Sequence, residues 1–505
     1  MISRRAFLRT GVAAAAGGSI GLGRVPRAAA KGELEQVTMG GAVEPGTMDP
    51  HMHANRWTLD VQNQCFDQLI HRDPKAKMVP GLATAWKQRD DRTWRFELRR
   101  NVKYHGGEPF DAETVKYSYD RIMDPNTKSP IVSSLRLVEK VTVVDATTLD
   151  ITTKAPAPVL PAYLSLYTNI VSKAWMTAKG PEFAARNMNG TGAFKFVDWR
   201  RGEHIKLARN DAYWGGRPQI KNVTFRPMPD PNSRVLALQK GEVDIIQDLP
   251  PALADEIKRN ADLRVSAVPS IRVHFIVMRT DLKPLDDRRV RQALNYAVNK
   301  EAIVKQLLRG YANPLTQILT PAMFGYAPDV PGFPYNPDRA KALLREAGFP
   351  RGFSTEISGP TLNTDVIEAV AGNLREVGVE ATIRIEEQKV NYENLMKRKA
   401  TPLHYLSWGN WNLFDADGTV PFLYGDTQWS YYTPPPRFVE LNKLASTIVD
   451  GKKRLEAYHE LMRILQEEAP LLLLYQQFDI NAANRKTTFE TRYDNVMLLH
   501  DTEKS

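Results

Sequence analysis

The chain has 505 residues, 42% of them apolar, which exceeds one ordinary hydrophobic core and predicts roughly two to four domains. Its single cysteine, Cys65, excludes an internal disulfide bond and a cysteine-based zinc site, and is expected to be a small buried apolar residue. The net charge is +10, but residues 1–30 carry five arginines and no acid, so a charge of 10 − 5 = +5 remains for residues 31–505. These residues contain no block of lysines and arginines, which argues against a nucleic-acid partner.

The first predicted element is a removable leader over residues 1–30. Arg4-Arg5 is followed by Phe7-Leu8, by a weakly apolar run from Gly11 to Gly23, and by the small residues Ala28-Ala29-Ala30. This order is typical of a twin-arginine export signal with a cleavage site. The alternative is a membrane anchor, which needs about 20 strongly apolar residues. The run from Gly11 to Gly23 is shorter than this and only weakly apolar. We therefore predict export by the twin-arginine machinery, cleavage, and a mature periplasmic protein that is soluble.

Strand signals occur in three separate parts of the chain. Trp94, Phe96 and Leu98 alternate with polar residues, and the same period recurs from Val379 to Ile385, as in half-buried strands. The run from Leu471 to Tyr475 is short and wholly apolar, which favours a strand buried on both faces.

Helix signals lie between these strands. Asn336 precedes a first-turn proline and an apolar face that ends at Gly348, which predicts a short helix. Asp286 or Asp287 is expected to cap a second helix. Asn299 is expected to cap a third, with its apolar face at Ile303, Val304, Leu307 and Leu308 directed inward and its end at Gly310. The fold class is therefore mixed α/β.

Several sequence blocks occur in a recognisable order along the chain. They are Pro80–Lys87, Thr93–Val115, Gly190-Thr-Gly-Ala-Phe-Lys-Phe, Ala208–Pro218, Val223–Pro227, Leu236–Gln239, Gly241-Glu-Val-Asp-Ile-Ile and Pro284–Val298. Together they resemble the family 5 extracellular solute-binding proteins, the peptide-receptor family of ABC importers. The resemblance extends over nearly the whole mature chain.

The resemblance implies a two-lobed periplasmic binding protein fold of type II, with an extra subdomain inserted in the first lobe. By this likeness lobe I comprises residues 31–60, 190–275 and 481–505, the inserted subdomain residues 61–189, and lobe II residues 276–480. It also implies a monomer that captures a peptide-like or related small organic solute between the lobes and delivers it to the membrane permease subunits of an ABC transporter.

The segment from Ser407 to Gly418 is the predicted ligand site. Trp408 and Trp411 are expected to form apolar walls, and the polar residues between and after them to orient polar or cationic groups; these are Asn410, Asn412, Asp415 and Asp417. In the peptide-binding members, the corresponding segment supplies an aspartate for the free amino terminus of the ligand, three residues after a tryptophan. Here Trp411 stands at that position, so an opine, a modified peptide, a sugar-like compound or another solute stays open. The alternative is a loop whose tryptophans fill a core and whose aspartates cap a helix or face water.

Four further residues are candidates for ligand contact. Tyr431 and Tyr432 either contact the ligand or pack under the loop. Arg272 and His274 alternate in a strand-like stretch and are expected to face one side. Arg272 either pairs with a ligand carboxylate or forms a structural salt bridge, and His274 is either a ligand contact or a hydrogen-bonded structural residue.

No sequence feature predicts catalysis, a cofactor or a metal. His51 and His53 lack a clear third ligand for a metal. A periplasmic enzyme such as a peptidase requires a nucleophile or metal constellation that the sequence does not display. A chaperone-like peptide holder is the third hypothesis, and it would bind unfolded segments broadly.

Overall fold

The computed structural model describes residues 34–409 and 413–504. The predicted leader and the site candidates Asn410, Trp411 and Asn412 lie outside the described residues. Helices and strands alternate through most of the described part, which confirms the mixed α/β class.

The strands are β1 (Leu34–Gly41), β2 (Ile70–Arg72), β3 (Met78–Pro80), β4 (Ala83–Asp90), β5 (Thr93–Leu98), β6 (Val138–Asp145), β7 (Thr148–Thr153), β8 (Phe194–Arg200), β9 (His204–Arg209), β10 (Ile220–Pro227), β11 (Ile245–Ile246), β12 (Leu263–Met278), β13 (Ala312–Pro314), β14 (Phe353–Pro360), β15 (Val379–Glu386), β16 (Leu403–Trp408), β17 (Leu471–Asn484), β18 (Thr487–Thr488) and β19 (Glu503–Lys504). The helices are α1 (Arg56–Gln62), α2 (Ala112–Met123), α3 (Leu160–Tyr163), α4 (Lys173–Ala184), α5 (Pro231–Gln239), α6 (Pro251–Arg259), α7 (Arg288–Ala297), α8 (Lys300–Ala302), α9 (Pro337–Glu346), α10 (Thr364–Glu376), α11 (Gln388–Met396), α12 (Val420–Tyr424), α13 (Pro436–Ala445) and α14 (Gly451–Glu468).

Two long strands join the two halves of one large sheet. The order is β15-β14-β16-β12-β17-β11-β1-β10-β9-β8, with β13 beside β17. Strands β12 and β17 pair antiparallel from Leu263 opposite Asn484 to Val277 opposite Leu471, and their register shifts between Pro269 and Val273. We call the side with β11, β1, β10, β9 and β8 the first lobe, and the side with β16, β14 and β15 the second lobe. The irregular register lies between them.

Each lobe has its own hydrophobic cores. In the second lobe α7, α9 and α10 cover one face of the sheet, and α13 and α14 contribute to the core on the other face. The first lobe is packed around β1, β10 and β11. A separate four-stranded sheet, β4-β5-β7-β6, packs with α2 around Phe96, Val115, Tyr119 and Leu149.

The family blocks meet around one buried carboxylate. Asp67 accepts hydrogen bonds from the Thr191 hydroxyl (2.7 Å), the Tyr213 hydroxyl (3.2 Å) and the Trp214 indole N–H (2.9 Å). Gly190 lies so close to Cys65 that a Cβ atom would overlap the Cys65 carbonyl oxygen. A buried acid is stable only with such donors, so these motif residues fasten the segment that contains Asp67 to the first lobe.

Most of the predicted elements are confirmed, with two corrections. Helix α9 begins after Asn336, whose side chain accepts from the Arg339 N–H. Helix α7 begins after Asp287, which caps it. The third predicted helix is only α8 followed by a π-helical turn, Ile303–Leu307. The prediction that Leu307 faces inward is wrong: it is 39% exposed, because the wider turn moves its side chain off the α-helical stripe.

The predicted strands differ from the structure in extent. Strand β17 continues from Tyr475 to Asn484, because its polar half runs between the lobes instead of ending at the apolar core. Strand β15 lies at the sheet edge, so Val379 is buried but Ile383 and Ile385 are each 37% exposed. Cys65 is buried as predicted, and burial raises the pKa of its thiol.

Candidate functional site

A cavity of about 630 Å³ lies between the lobes, where the paired strands β12 and β17 pass from one lobe to the other. We call it the interlobe cleft. Its floor carries Arg272, Gln477 and Asp479 from the two long strands. The side of the first lobe and the four-stranded sheet contributes Asn55, Arg56, Trp57, Ile131, Ser133, Ser134, Tyr167, Asp248 and Asn495, and the second lobe contributes Tyr392, Ser407, Trp408, Gly409 and Trp429. The volume suits a small molecule and not a folded partner.

An arginine at the start of α1 anchors the acidic side of the cleft. The Asn55 side chain caps α1 by accepting from the Trp57 N–H at 2.9 Å. The Arg56 guanidinium lies 3.4 Å from Asp60 Oδ2 and 3.7 Å from Asp248 Oδ1. It also lies 4.4 Å from the centroid of the Trp57 ring, at cation–π distance. Burial raises the pKa of Asp60 to about 6, while Arg56 opposes that rise.

Two residues of this wall have left-handed backbone. Asp248 has φ +47° and Asn495 has φ +50°. Such conformations are uncommon outside glycine and concentrate at functional sites. The Asp248 N–H donates to Asn481 Oδ1 at 3.1 Å, which holds the turn that brings the carboxylate to the cleft.

Asp479 is the titratable group on the floor of the cleft. Burial raises its pKa to about 7; the positive charges of Arg56 and Arg272 oppose the rise, and the negative charge of Asp248 adds to it. The acidic side therefore changes its charge near neutral pH and favours a cationic group of a ligand.

Arg272 presents a guanidinium on the same floor. Its Nη1 lies 3.4 Å from the Ser407 hydroxyl, and its Nη2 lies 3.2 Å from where a Cβ atom on Gly409 would be. Glycine at 409 thus lets the guanidinium lie against the backbone. In the described ranges Arg272 forms no ion pair, so the predicted structural salt bridge is not found there. An arginine in this state is suited to a carboxylate.

His274 lies beneath the cleft. Its ring is buried and stacks on Tyr475 with centroids 4.4 Å apart. Nδ1 is 2.7 Å from the Tyr405 hydroxyl and Nε2 is 2.8 Å from Gln477 Oε1. Burial lowers its pKa to about 3, so the ring is neutral at physiological pH. His274 supports Gln477, which lines the cleft, and its own ligand contact stays a prediction.

Trp408 lines the cleft at the end of β16, as the sequence predicts for an apolar wall. Its indole N–H donates to the Gly418 carbonyl at 3.0 Å, and its ring meets Trp429 edge-on at 5.4 Å. Because the N–H is already bonded, the exposed part of the ring is an apolar surface. Its contact with a ligand stays a prediction.

The two aspartates of the predicted site are held by arginines. Asp415 accepts from Arg454 through both oxygens, at 2.6 and 2.8 Å. Asp417 accepts from Arg136 at 2.8 Å and from the Tyr163 hydroxyl at 3.1 Å, groups that come from the side of the first lobe. Neither aspartate is among the described residues that line the cleft, and ligand contact stays a prediction for both.

The two predicted tyrosines pack in the core of the second lobe. The Tyr431 hydroxyl donates to the Leu395 carbonyl at 3.1 Å, and its ring lies 4.2 Å from the Arg398 guanidinium. Tyr432 meets the ring of Phe438 edge-on. These positions match packing under the loop, and their ligand contact stays a prediction.

Sequence reasoning missed most of the acidic and aromatic wall. Arg56 and Trp57, Asp248, and Asp479 belong to three segments that are distant in sequence. One signal was available: Asp479 is a charged residue in the continuation of the apolar run that begins at Leu471. A charge inside a strand that crosses between lobes indicates a polar floor.

Across 34–409 and 413–504 no three metal-ligating side chains cluster, and His51 bonds the Asn169 carbonyl at 2.8 Å. No helix in the same ranges is long and apolar enough to cross a membrane.

A two-lobed α/β chain with a small-molecule cavity between its lobes is the architecture of a solute-binding protein. Residues 77–431 match the family model described as bacterial extracellular solute-binding proteins, family 5 Middle. The match covers well over half of the chain, which therefore belongs to this family.

Individual relatives agree with this assignment. The glutathione-binding protein GsiB of Pectobacterium atrosepticum is 28% identical over 476 residues, covering 90% of this chain and 92% of that protein. The dipeptide-binding protein of Escherichia coli is 29% identical over 474 residues, covering 85% and 87%. The structure of the periplasmic binding protein DppA from Helicobacter pylori with the peptide STSA has the same fold, with a TM-score of 0.77, 22% identity and coverage of 94% and 98%.

Proposed function

We propose that the chain is the periplasmic substrate-binding component of an ABC transporter. It captures a peptide-like or related small organic solute in the interlobe cleft and delivers it, chemically unaltered, to the membrane permease. The observation that carries this proposal is the charge arrangement of the floor, where an arginine without an ion pair in the described residues shares one cavity with Asp248 and Asp479.

The ligand class is a small zwitterion. Its carboxylate pairs with Arg272 and its amine lies beside Asp248 and Asp479. The rings of Trp57, Tyr167, Tyr392, Trp408 and Trp429 cover the apolar part of the molecule. Glutathione and dipeptides, the ligands named for the two relatives, both carry carboxylate and amine groups, which supports this class.

Capture follows from the position of the cleft between the lobes. A ligand that contacts both lobes stabilises only the closed arrangement, and so shifts the population toward it. Micromolar binding requires about −8 kcal/mol. Charged hydrogen bonds at both ends of the ligand, of about 1.5–3 kcal/mol each, together with burial between aromatic rings, are sufficient for such an affinity.

The domain division and the cellular route are part of the proposal. Residues 1–30 form a twin-arginine signal that is cleaved, and the mature protein works as a soluble monomer in the periplasm. Lobe I comprises 31–60, 190–275 and 481–505, the inserted subdomain 61–189, and lobe II 276–480. The separate four-stranded sheet and its core, which fall within 61–189, support this division.

Titration calorimetry of the mature chain, residues 31–505, with dipeptides and glutathione tests the proposal. We expect saturable binding and a change in tryptophan emission on closure. Arg272→Met should weaken carboxylate ligands about 10- to 100-fold, because one charged hydrogen-bonding partner is lost. Arg463→Met, which removes an exposed pair with Asp329, should bind like wild type.

Three outcomes contradict the proposal. Equal affinities of wild type and Arg272→Met mean that the carboxylate lies elsewhere. Products detected by mass spectrometry after prolonged incubation favour a peptidase. Binding of unfolded polypeptides with no saturation by any defined solute favours a chaperone-like holder.

A further inference from the structure

A second, smaller cavity adjoins the interlobe cleft. Its volume is about 90 Å³, and it shares Ser133, Ser134, Tyr167 and Trp408 with the cleft. We call it the side chamber. Its other described walls are Arg136, Tyr163, Leu166, Leu413, Gly418 and Phe422. The shared residues make the chamber a lateral extension of the ligand site.

The walls of the side chamber are apolar and come from both sides of the cleft. Tyr163, Leu166 and Leu413 belong to one small hydrophobic cluster. The rings of Trp408 in β16 and Phe422 in α12, on the side of the second lobe, lie 6.0 Å apart at 37°. Because the two sides meet only when the lobes are together, a group bound in the chamber also stabilises the closed arrangement.

Three polar side chains of these walls, those of Arg136, Tyr163 and Trp408, are bonded to neighbouring groups. Arg136 Nη2 donates to the Tyr163 hydroxyl at 2.7 Å and to Asp417 at 2.8 Å. The Tyr163 hydroxyl donates to Asp417 at 3.1 Å. The Trp408 N–H is bonded to Gly418. Because these three groups are engaged and the surface of the chamber is predominantly apolar, the chamber offers little to water and is filled best by an apolar group.

We propose that the side chamber receives a compact branched aliphatic side chain of the bound solute. The inference rests on the proposed function and narrows its substrate class to short peptide-like zwitterions with a leucine-, isoleucine- or valine-type group. Size selects the aliphatic group over an aromatic one: a cavity of about 150 Å³ accommodates benzene, whereas this chamber has about 90 Å³.

Calorimetry with alanyl-alanine, alanyl-leucine, leucyl-alanine and phenylalanyl-alanine tests the chamber. We expect one leucine isomer to bind about 10- to 100-fold more tightly than alanyl-alanine, from the burial of the larger side chain. Leu166→Phe fills the chamber, so the affinity advantage of the leucine isomer over alanyl-alanine should vanish. Leu166→Ala enlarges it and should shift the preference toward the phenylalanine ligand.

Val159→Leu is the matched control. Val159 belongs to the same hydrophobic cluster as Leu166 but does not line the chamber, so this variant should keep the leucine advantage. Equal affinities of alanyl-alanine and both leucine isomers, or a leucine advantage that persists in Leu166→Phe, overturn the chamber and leave the proposed function intact. Absence of saturable binding for every dipeptide overturns both.

Discussion

Replacing Asp479 by asparagine should change how the stability of the ligand-free protein depends on pH. Burial raises the pKa of this carboxyl from its ordinary value of 3.8 to about 7. Between these two pH values the folded chain binds more protons than the unfolded chain. The free energy of unfolding therefore falls as the pH rises from about 4 to about 7, and it stays at its lower value above pH 7.

The magnitude follows from the difference between the two pKa values. A rise from 3.8 to about 7 corresponds to at most about 4 kcal/mol, at 1.36 kcal/mol for each pH unit. The carboxyl lines a cleft that is open to solvent, which screens its charge and reduces the effect to roughly 1–2 kcal/mol. Asp479→Asn should therefore stabilise the protein by this amount at pH 8, and by less than about half of it at pH 5.

Urea unfolding of the ligand-free mature chain, followed by tryptophan fluorescence at pH 5 and pH 8, measures the effect. Asp329→Asn is the control, because Arg463 beside this exposed carboxyl lowers its pKa and the variant should gain no stability at pH 8. If Asp479→Asn and wild type show the same pH dependence, Asp479 is not held protonated in the folded state and the reasoning fails.

Further predictions concern packing, a buried ion pair and proton linkage. Gly190→Ala places a methyl group against a backbone carbonyl and should lower the free energy of unfolding by about 3 kcal/mol or more. Gly372→Ala, in α10 with open space around it, should raise the free energy of unfolding by up to about 1 kcal/mol, and thermal unfolding measures both variants. Arg454→Met leaves the buried Asp415 without its bidentate partner and should lower the free energy of unfolding by about 3–5 kcal/mol. Arg437→Met, at an exposed pair with Glu460, should change the urea midpoint little. Equal losses of stability in the two variants would contradict this account. Amine capture beside the acidic side of the cleft at pH 7 should release protons, which appears as different calorimetric heats in buffers of different ionisation enthalpy. Identical heats would place the amine elsewhere.

The sequence predicted the elements better than their extents. Caps at Asn336 and Asp287 are local signals, so the helices that follow them were located from a few residues. The end of β17 was missed because an apolar run indicates only the part of a strand that is buried in a core. The strand continues through polar residues such as Gln477 and Asp479, which an apolar pattern does not detect. Leu307 was wrongly predicted to face inward because the α-helical period of about 3.6 residues was applied to a segment that forms a π-helical turn, which has a wider period.

Two of the residues predicted from the sequence as ligand contacts lie at the interlobe cleft, and their contact with a ligand stays a prediction. Trp408 and Arg272 line the cleft, and both lie on strands that reach the crossing between lobes. Arg56, Asp248 and Asp479 could not be grouped in advance, because more than 400 positions separate the first from the last and only the folded sheet brings them together.

The segments that identify the family and the residues that line the cleft are different parts of the chain. Among the described residues, no member of the cleft lining falls within the blocks that carry the resemblance. The blocks instead supply structural contacts, such as the hydrogen bonds from Thr191, Tyr213 and Trp214 to Asp67. The family signature therefore specifies structural contacts of the fold, and under the proposed function ligand choice depends on residues outside it. Variation at the cleft and the side chamber can change the solute without changing the family.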